Sequence, residues 1–349
     1  MSRQYGALSG LAILLILINH SIELSLSLYY ESGNLPLAGW QNYLLTLLQG
    51  LGVFAVPTFL FISGSFVAYA AQGDPPHLPK KFLLSSLRHI VIPYAIWTLV
   101  FYIFIYFLID VQISVWGYIK SLLVGSPFHF IPLLIFWYVL SPLLVRYARK
   151  KSAFIFLGVI AVYQFFLIYL LRPGTLGIHF PDWMNSLAPP VLRTTLADWA
   201  IYFPLGVVLG LNGSKYLPWS RKLAWLLGTL TVILFLIGLM DAFQTIHFPL
   251  IRYLCPVPLI LMLPGIKRDS IPLARSLERV GRRTYGIYLT HLTVIYLVVE
   301  LLLDLLPALA GYPMLLSLLL FMAGLEAPLL LMEAASRGPT KRFYRYVFG

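Results

Sequence analysis

The chain has 349 residues, 60% of them hydrophobic and only 11% charged, with a mean hydropathy of +0.84. That composition excludes an ordinary soluble globular protein and places the chain among polytopic membrane proteins, read as a single integral membrane domain over residues 1–349. The net charge of +12 would suit nucleic acid, but the basic residues are sorted by membrane side, so no nucleic-acid partner is expected.

Apolar stretches recur along the chain, each near the ~20 residues that cross a hydrocarbon core of ~30 Å as helix. They predict ten spans, at residues 7–28, 44–71, 90–109, 127–146, 153–171, 196–212, 223–240, 248–264, 284–303 and 312–332. The expected fold is an all-α polytopic membrane helical bundle. The first stretch follows a short basic start, as a signal peptide does, but its apolar run is long and lacks a small-x-small cleavage site. It is read as a retained span.

With Arg3 placed inside, the segments before the first span, after each even span and at the C-terminus hold 21 of the 25 Lys and Arg. Lys120, Arg172, Arg193 and Arg252 alone fall on the other side. This is the positive-inside pattern, and it predicts cytoplasmic N- and C-termini in a cell membrane, plasma or inner.

The first span carries His20 near its outer end, in the run LAILLILINHSIE. An ionisable ring in hydrocarbon is costly, so its default reading is a functional site facing a polar cavity or the bundle interior. Glu23 is three residues on and shares a helix face with it. A carboxylate that accepts one ring N–H fixes the tautomer and leaves the other nitrogen as a base. The alternative for Glu23 is contact with external headgroups, and for His20 a structural hydrogen bond to a neighbouring helix.

Further along, the segments HLPKKFLLSSLRH and IKRDSIPLARSLERVGRR form a basic rim suited to a polyanionic ligand, or serving topology alone. Lys80, Lys81 and Arg88 are the candidate donor-binding residues. The external loops carry Glu31, Asp110, Asp182, Asp241 and Asp304, with Tyr29, Tyr30, Trp40 and Trp183 as interface aromatics. The longest external loop, residues 172–195, is the candidate for acceptor contacts. Pro57, Pro132, Pro142, Pro204, Pro256 and Pro258 fall within spans or at their ends, where freed carbonyls hint at an internal cavity.

His291 in the ninth span is a second intramembrane histidine, and His129, His179 and His247 fall at or outside the external boundary. His291 and His129 are candidate substrate contacts. No histidine pair has metal spacing on one helix, so no metal is expected, and Cys255, the single cysteine, is read as a small buried hydrophobe. Counting helix rise places His20 about 20 Å from the inner boundary and Ser63 and His291 about 10–12 Å from it. A reactive group from the cytoplasm would have to be threaded deep, as a long-armed acyl-CoA could do with its phosphates at the rim.

The ordered motifs are INHS, VPTFLFISG (residues 56–64), KKFLLSSLRHIVIPYAIW (80–97), FHFIPLLIFWYVLSPLL (128–144), WAIYFPLGVVLG (199–210) and VGRRTYGIYLTHL (280–292). Across its whole length the chain resembles the acyltransferase-3 family of membrane O-acyltransferases that modify surface polysaccharides and related acceptors. The resemblance implies a cytoplasmic acyl-CoA donor, commonly acetyl-CoA, as co-substrate, with no tightly bound cofactor. It implies an acceptor hydroxyl on a glycan or lipid-linked sugar, His20 as the catalytic histidine and Arg88 near the donor. Ser9 and Ser85 stand where the family often carries basic residues. In the mechanism expected on this footing, His20 is the general base, and Ser63 or backbone N–H groups beside Gly64 stabilise the oxyanion. A covalent acyl-His20 route is the other form. The competing readings are a glycan or acyl transporter with His20 and Glu23 as a proton relay, and an inactive assembly partner.

Overall fold

The structure is a computed structural model that describes residues 3–37, 39–108, 114–149, 152–172 and 180–349. The expected acceptor segment is therefore described only in part, and Asp110 and His179 lie outside the described residues. No strand occurs among the described residues. The chain opens with α1 (Arg3–Glu31), α2 (Trp40–Gly50) and α3 (Ala55–Ala70), the latter two joined by a 3-10 turn at Leu51–Phe54. Then follow α4 (Lys80–Leu108), α5 (Val115–Val124), α6 (Phe130–Ala148) and α7 (Ala153–Leu171). The second half comprises α8 (Arg193–Trp199), α9 (Tyr202–Leu211), α10 (Gly213–Lys222), α11 (Ala224–Ala242), α12 (Ile251–Leu254) and α13 (Pro256–Met262). It closes with α14 (Ala274–Gly281), α15 (Thr284–Leu305), α16 (Pro313–Ser336) and α17 (Tyr344–Phe348).

Eight of these stretches are long and apolar enough to cross a membrane: α1, α2 with α3, α4, α6, α7, α11, α15 and α16. The all-α membrane bundle is thus the observed fold, but two of the ten expected spans are not long helices. The sixth is the pair α8–α9, bent by 47°. The eighth is the short broken run Ile251–Gly265, in which Pro256 opens α13 and supplies no N–H to continue α12.

The basic segments gather at one end of the bundle. Gln4 donates to the Leu263 carbonyl (2.8 Å), Tyr285 to Ile90 (2.7 Å) and the Trp97 indole to Val347 (2.8 Å). Arg149 faces Asp74 at 3.8 Å. These contacts tie the start of α1, the α3–α4 loop, the end of α6, the α13–α14 segment and α17 to a common level.

Two glycine-mediated contacts set the helix register. A Cβ on Gly10 would stand 2.1 Å from the Leu277 carbonyl oxygen, and one on Gly281 would stand 1.8 Å from that of Gly6. α1 and α14 therefore touch backbone to backbone, the close approach that small residues permit in membranes. Likewise a Cβ on Gly64 would lie 2.1 Å from the Phe203 oxygen and one on Gly206 2.1 Å from the Phe61 oxygen, which locks α3 to α9.

No apolar span was expected at α5, and it enters the bundle from the outer end. Ser114 caps it by accepting from the Gly117 N–H (3.1 Å), and Gly125 ends it at φ 91°. Tyr94 donates to the Leu122 carbonyl (2.6 Å) and Tyr102 to that of Ser126 (2.6 Å). Tyr94 sits about four turns below the outer end of α4, so the tip of α5 lies deep. Such non-helical backbone is tolerated at depth because the protein buries it: Phe128 is fully enclosed.

Candidate active site

His20 lies on the wall of a half-open cavity of about 330 Å³. α1 contributes Ile16, Asn19 and His20, the 3-10 turn Gly52 and Val53, and α3 Val56 and Pro57. Pro127, His129 and Phe130 come from the segment after α5, Asp198 and Trp199 from α8, Arg252 and Tyr253 from α12, and Tyr288 from α15. Each broken or bent element found above thus lends residues to this cavity. Pro57 and Pro256 line it too, as the placement of prolines in the sequence suggested.

The Glu23 carboxylate stands 3.4 Å from Nδ1 of His20. With that nitrogen facing an acceptor, Nε2 is the one free to act as a base. The His291 ring lies 5.5 Å from the His20 ring, centroid to centroid. Its Nδ1 faces the carbonyls of Tyr288 (2.6 Å) and Ile287 (3.2 Å), which can only accept, so Nδ1 carries the hydrogen. Nε2 of His291 is buried, with no hydrogen-bond partner among the described residues.

This pairing corrects the depths expected from span boundaries, which set His291 well inside His20. Gly10 packs on the α14 segment that ends at Gly281, and α1 and α15 then rise together. The 5.5 Å separation of the two rings places His20 and His291 at one level. His129, placed by the segment after α5, lines the same cavity as His20.

Ser63 is not brought to the cavity. It lies six residues past Pro57 towards the basic end, roughly 9 Å along the helix. Gly64 is a packing contact against Phe203 in the middle of α3, where helical N–H groups are already bonded within the helix. Asn19 and Tyr288 are among the donors that line the cavity. Asn19 gives one amide hydrogen to the Gln49 carbonyl (3.2 Å) and keeps a second.

At the basic end a separate cavity of about 720 Å³ is lined by Lys81, Ser85, Ser86, His89, Tyr138 and Tyr285, among others. Lys80 is exposed at the start of α4, and the Arg88 guanidinium lies over the Tyr346 ring at 4.7 Å. His89 is not simply solvated: its Nδ1 meets the Ser85 carbonyl at 2.7 Å. Ser9 is buried, next in the chain to the Gly10 contact with α14.

No residue lines both cavities. Tyr285 bounds one and Tyr288 the other, about one turn apart on α15. Tyr288 packs on Phe130 (4.5 Å) and Phe128 (5.8 Å), and Phe128 on Tyr94 (6.3 Å). The partition is therefore aromatic. Among the described residues, no three His, Cys, Asp or Glu come together as a metal site, and Cys255 is buried with a free thiol.

Asp198 owes its place to Gln164, a buried glutamine on α7. The Gln164 amide donates to the carbonyls of Ala197 (3.0 Å) and Asp198 (3.1 Å) and accepts from the Ile201 N–H (3.1 Å). These are the backbone groups set loose by the bend between α8 and α9. Gln164→Leu removes all three bonds, and each buried group left unpaired costs about 1–3 kcal/mol. The variant is expected to unfold at clearly lower temperature in detergent, read by thermal-shift fluorescence; an unchanged midpoint would contradict the clamp.

Asn19, Asp198, Arg252 and Tyr288 were not picked out in the sequence as site residues. The signals were there in part: Asn19 is polar inside the apolar run beside His20, and Arg252 is one of four basic residues on the outer side.

An all-α helical bundle with a histidine-carboxylate pair on a half-open cavity among long apolar helices defines a polytopic membrane protein. A family model described as an acyltransferase domain matches residues 7–328, and the chain belongs to the acyltransferase-3 family. It is therefore a membrane acyltransferase. Neither a curated protein nor a solved structure matches the chain.

Proposed function

We propose that the protein moves an acyl group, acetyl in the simplest case, from a cytoplasmic acyl-CoA to a hydroxyl of a surface glycan or lipid-linked sugar. The observation that carries this reading is the His20 ring on the cavity wall with Glu23 against its Nδ1. In the reaction, Nε2 of His20 takes the proton of the acceptor hydroxyl as its oxygen bonds to the thioester carbonyl carbon. The carbon–sulfur bond then breaks, and the thiolate leaves with the proton returned from the imidazolium. Asn19 and Tyr288 are placed to donate to the oxyanion, in the role first assigned to Ser63. His291, with its bare Nε2 beside the His20 ring, orients that ring and the proton it carries.

The donor enters from the basic end. Lys81 lines the cavity there, Lys80 and Arg88 stand at its rim, and guanidinium and ammonium groups bind phosphate well. The pantetheine arm must then pass the aromatic partition at Tyr285 and Tyr288, and a displacement of Tyr288 opens the shortest route. Family membership favours group transfer over the transporter reading of the same histidine and carboxylate.

The test is release of free CoA from acetyl-CoA by the purified protein in nanodiscs, with and without sugar acceptors. Absence of CoA release with acetyl-, propionyl- and longer acyl-CoA would defeat the proposal. Arg88→Ala is expected to raise the apparent KM for acyl-CoA about tenfold, a loss of about 1.4 kcal/mol in binding, with kcat nearly unchanged. A fall in kcat alone would assign Arg88 elsewhere.

A further inference from the structure

The outer side of the cavity holds a second polar group that the acyl-transfer steps leave unused. Oδ1 of Asp198 stands 3.6 Å from Nη2 of Arg252, beyond the usual hydrogen-bond range of about 2.7–3.2 Å. The Asp198 side chain is only 15% exposed, whereas that of Arg252 is 50% exposed. Arg252 also lies over the Tyr253 ring at 5.2 Å, and Arg172 over the same ring at 5.5 Å. Both members of the loose pair line the cavity that holds His20 and His129, with Trp199, Tyr202 and Tyr253 around them.

A carboxylate offers about four lone-pair sites and a guanidinium five N–H donors. The Tyr253 side chain hydrogen-bonds to the Asp198 carboxylate and Arg172 acts on it electrostatically, while the Arg252 contact at 3.6 Å leaves guanidinium donors and part of the carboxylate open to the cavity. An enclosed acceptor beside a half-exposed donor is the complement of two adjacent hydroxyls, since each hydroxyl can both donate and accept. Aromatic walls supply the apolar surface that the C–H faces of a sugar ring need, while a few placed polar groups fix its orientation. The position of Asp198 is not accidental, because the Gln164 clamp fixes the backbone on both sides of it.

From this geometry we infer that Asp198 and Arg252 form a subsite for a neutral sugar, binding adjacent hydroxyls so that a further hydroxyl of the same ring faces His20. The name acceptor for this sugar rests on the acyl-transfer proposal; the binding itself does not. The Asp198 carboxylate and the Arg252 guanidinium offset each other at the cavity wall, so the pair presents no unbalanced cation to a uronate or a sugar phosphate. That sets the preference for an uncharged ring.

The test is saturation-transfer NMR on the full chain in detergent, with the methyl glycosides of glucose, galactose, mannose and N-acetylglucosamine as probes, their O-methylated forms, and glucuronate. At least one neutral methyl glycoside is expected to receive saturation, its O-methylated form to receive none, and Asp198→Asn and Arg252→Gln each to weaken binding at least tenfold. Size-exclusion profile and melting temperature check that each variant is folded, and if one is not, the other decides. The inference is overturned if no neutral glycoside binds, if binding survives in both folded variants, or if glucuronate alone binds. Failure of CoA release with sugar binding intact would defeat the acyl-transfer proposal and leave the subsite standing. CoA release with sugar binding indifferent to both substitutions would do the reverse.

Discussion

Replacing His20 with alanine is expected to lower acyl transfer by about 10²- to 10⁴-fold, the range that a positioned general base contributes. The loss should fall on kcat, since the donor phosphates are assigned to the basic end and the sugar to Asp198 and Arg252. Glu23→Gln should have a smaller effect of the same kind. The amide can present either its oxygen or its NH₂ group to Nδ1, so the tautomer that frees Nε2 is no longer imposed. Incorporation of labelled acetyl from acetyl-CoA into the acceptor measures both, with membrane insertion checked by detergent extraction and elution. Near-normal transfer by His20→Ala would remove the histidine from the mechanism.

The substitution is informative because His20 is structurally dispensable in a way that His291 is not. About a third of the His20 side chain is open to the cavity, and it holds no buried backbone group in place. His291 is wholly enclosed and bonded to its own helix, so its removal would leave a void as well as a missing nitrogen. An activity loss at His291 alone would not separate chemistry from packing.

Much of the fold was legible because hydrocarbon imposes strong rules on sequence. Long apolar runs gave α1, α4, α6, α7, α11, α15 and α16 with little ambiguity, and the asymmetry of Lys and Arg anticipated the end at which the basic segments meet. The pairing of His20 with Glu23 followed from helical spacing alone. What stayed hidden depends on packing between elements distant in sequence. α5 is too short to read as a span, and nothing local shows that Tyr94 and Tyr102 hold its tip against the bundle, so the cavity shared by His129 and His20 was not foreseen. The depth of His291 was missed for a related reason. Span boundaries count residues from the membrane surface, whereas the actual register is set where glycines let two backbones touch. Asp198 and Arg252 meet across 54 positions of chain and only because α8–α9 is bent.

That register yields the second large prediction. Gly281→Ala would put a methyl carbon 1.8 Å from the Gly6 carbonyl oxygen and 3.0 Å from the Gly10 nitrogen, both backbone atoms that no rotamer change can move. The end of α14 and the body of α1 must then separate. Forcing extra volume into a packed contact costs about 1–3 kcal/mol. The larger consequence is chemical, since His20 rides on α1 and His291 on α15, the helix that follows α14 directly in the chain, and a misplacement of about 1 Å in a catalytic group can cost about 10²-fold in rate. We expect Gly281→Ala to unfold at lower temperature and to lose acyl transfer by about that factor. Gly206→Ala meets the Phe61 carbonyl at 2.1 Å, so it should destabilise comparably through α3 and α9 without acting on the histidine pair directly. Gly158→Ala, which meets nothing within 4 Å, should leave melting and turnover as they are. If Gly281→Ala matched Gly158→Ala in both measurements, the glycine contact would not be what holds the two rings level, and the close approach of α1 to α14 would have no part in building the site.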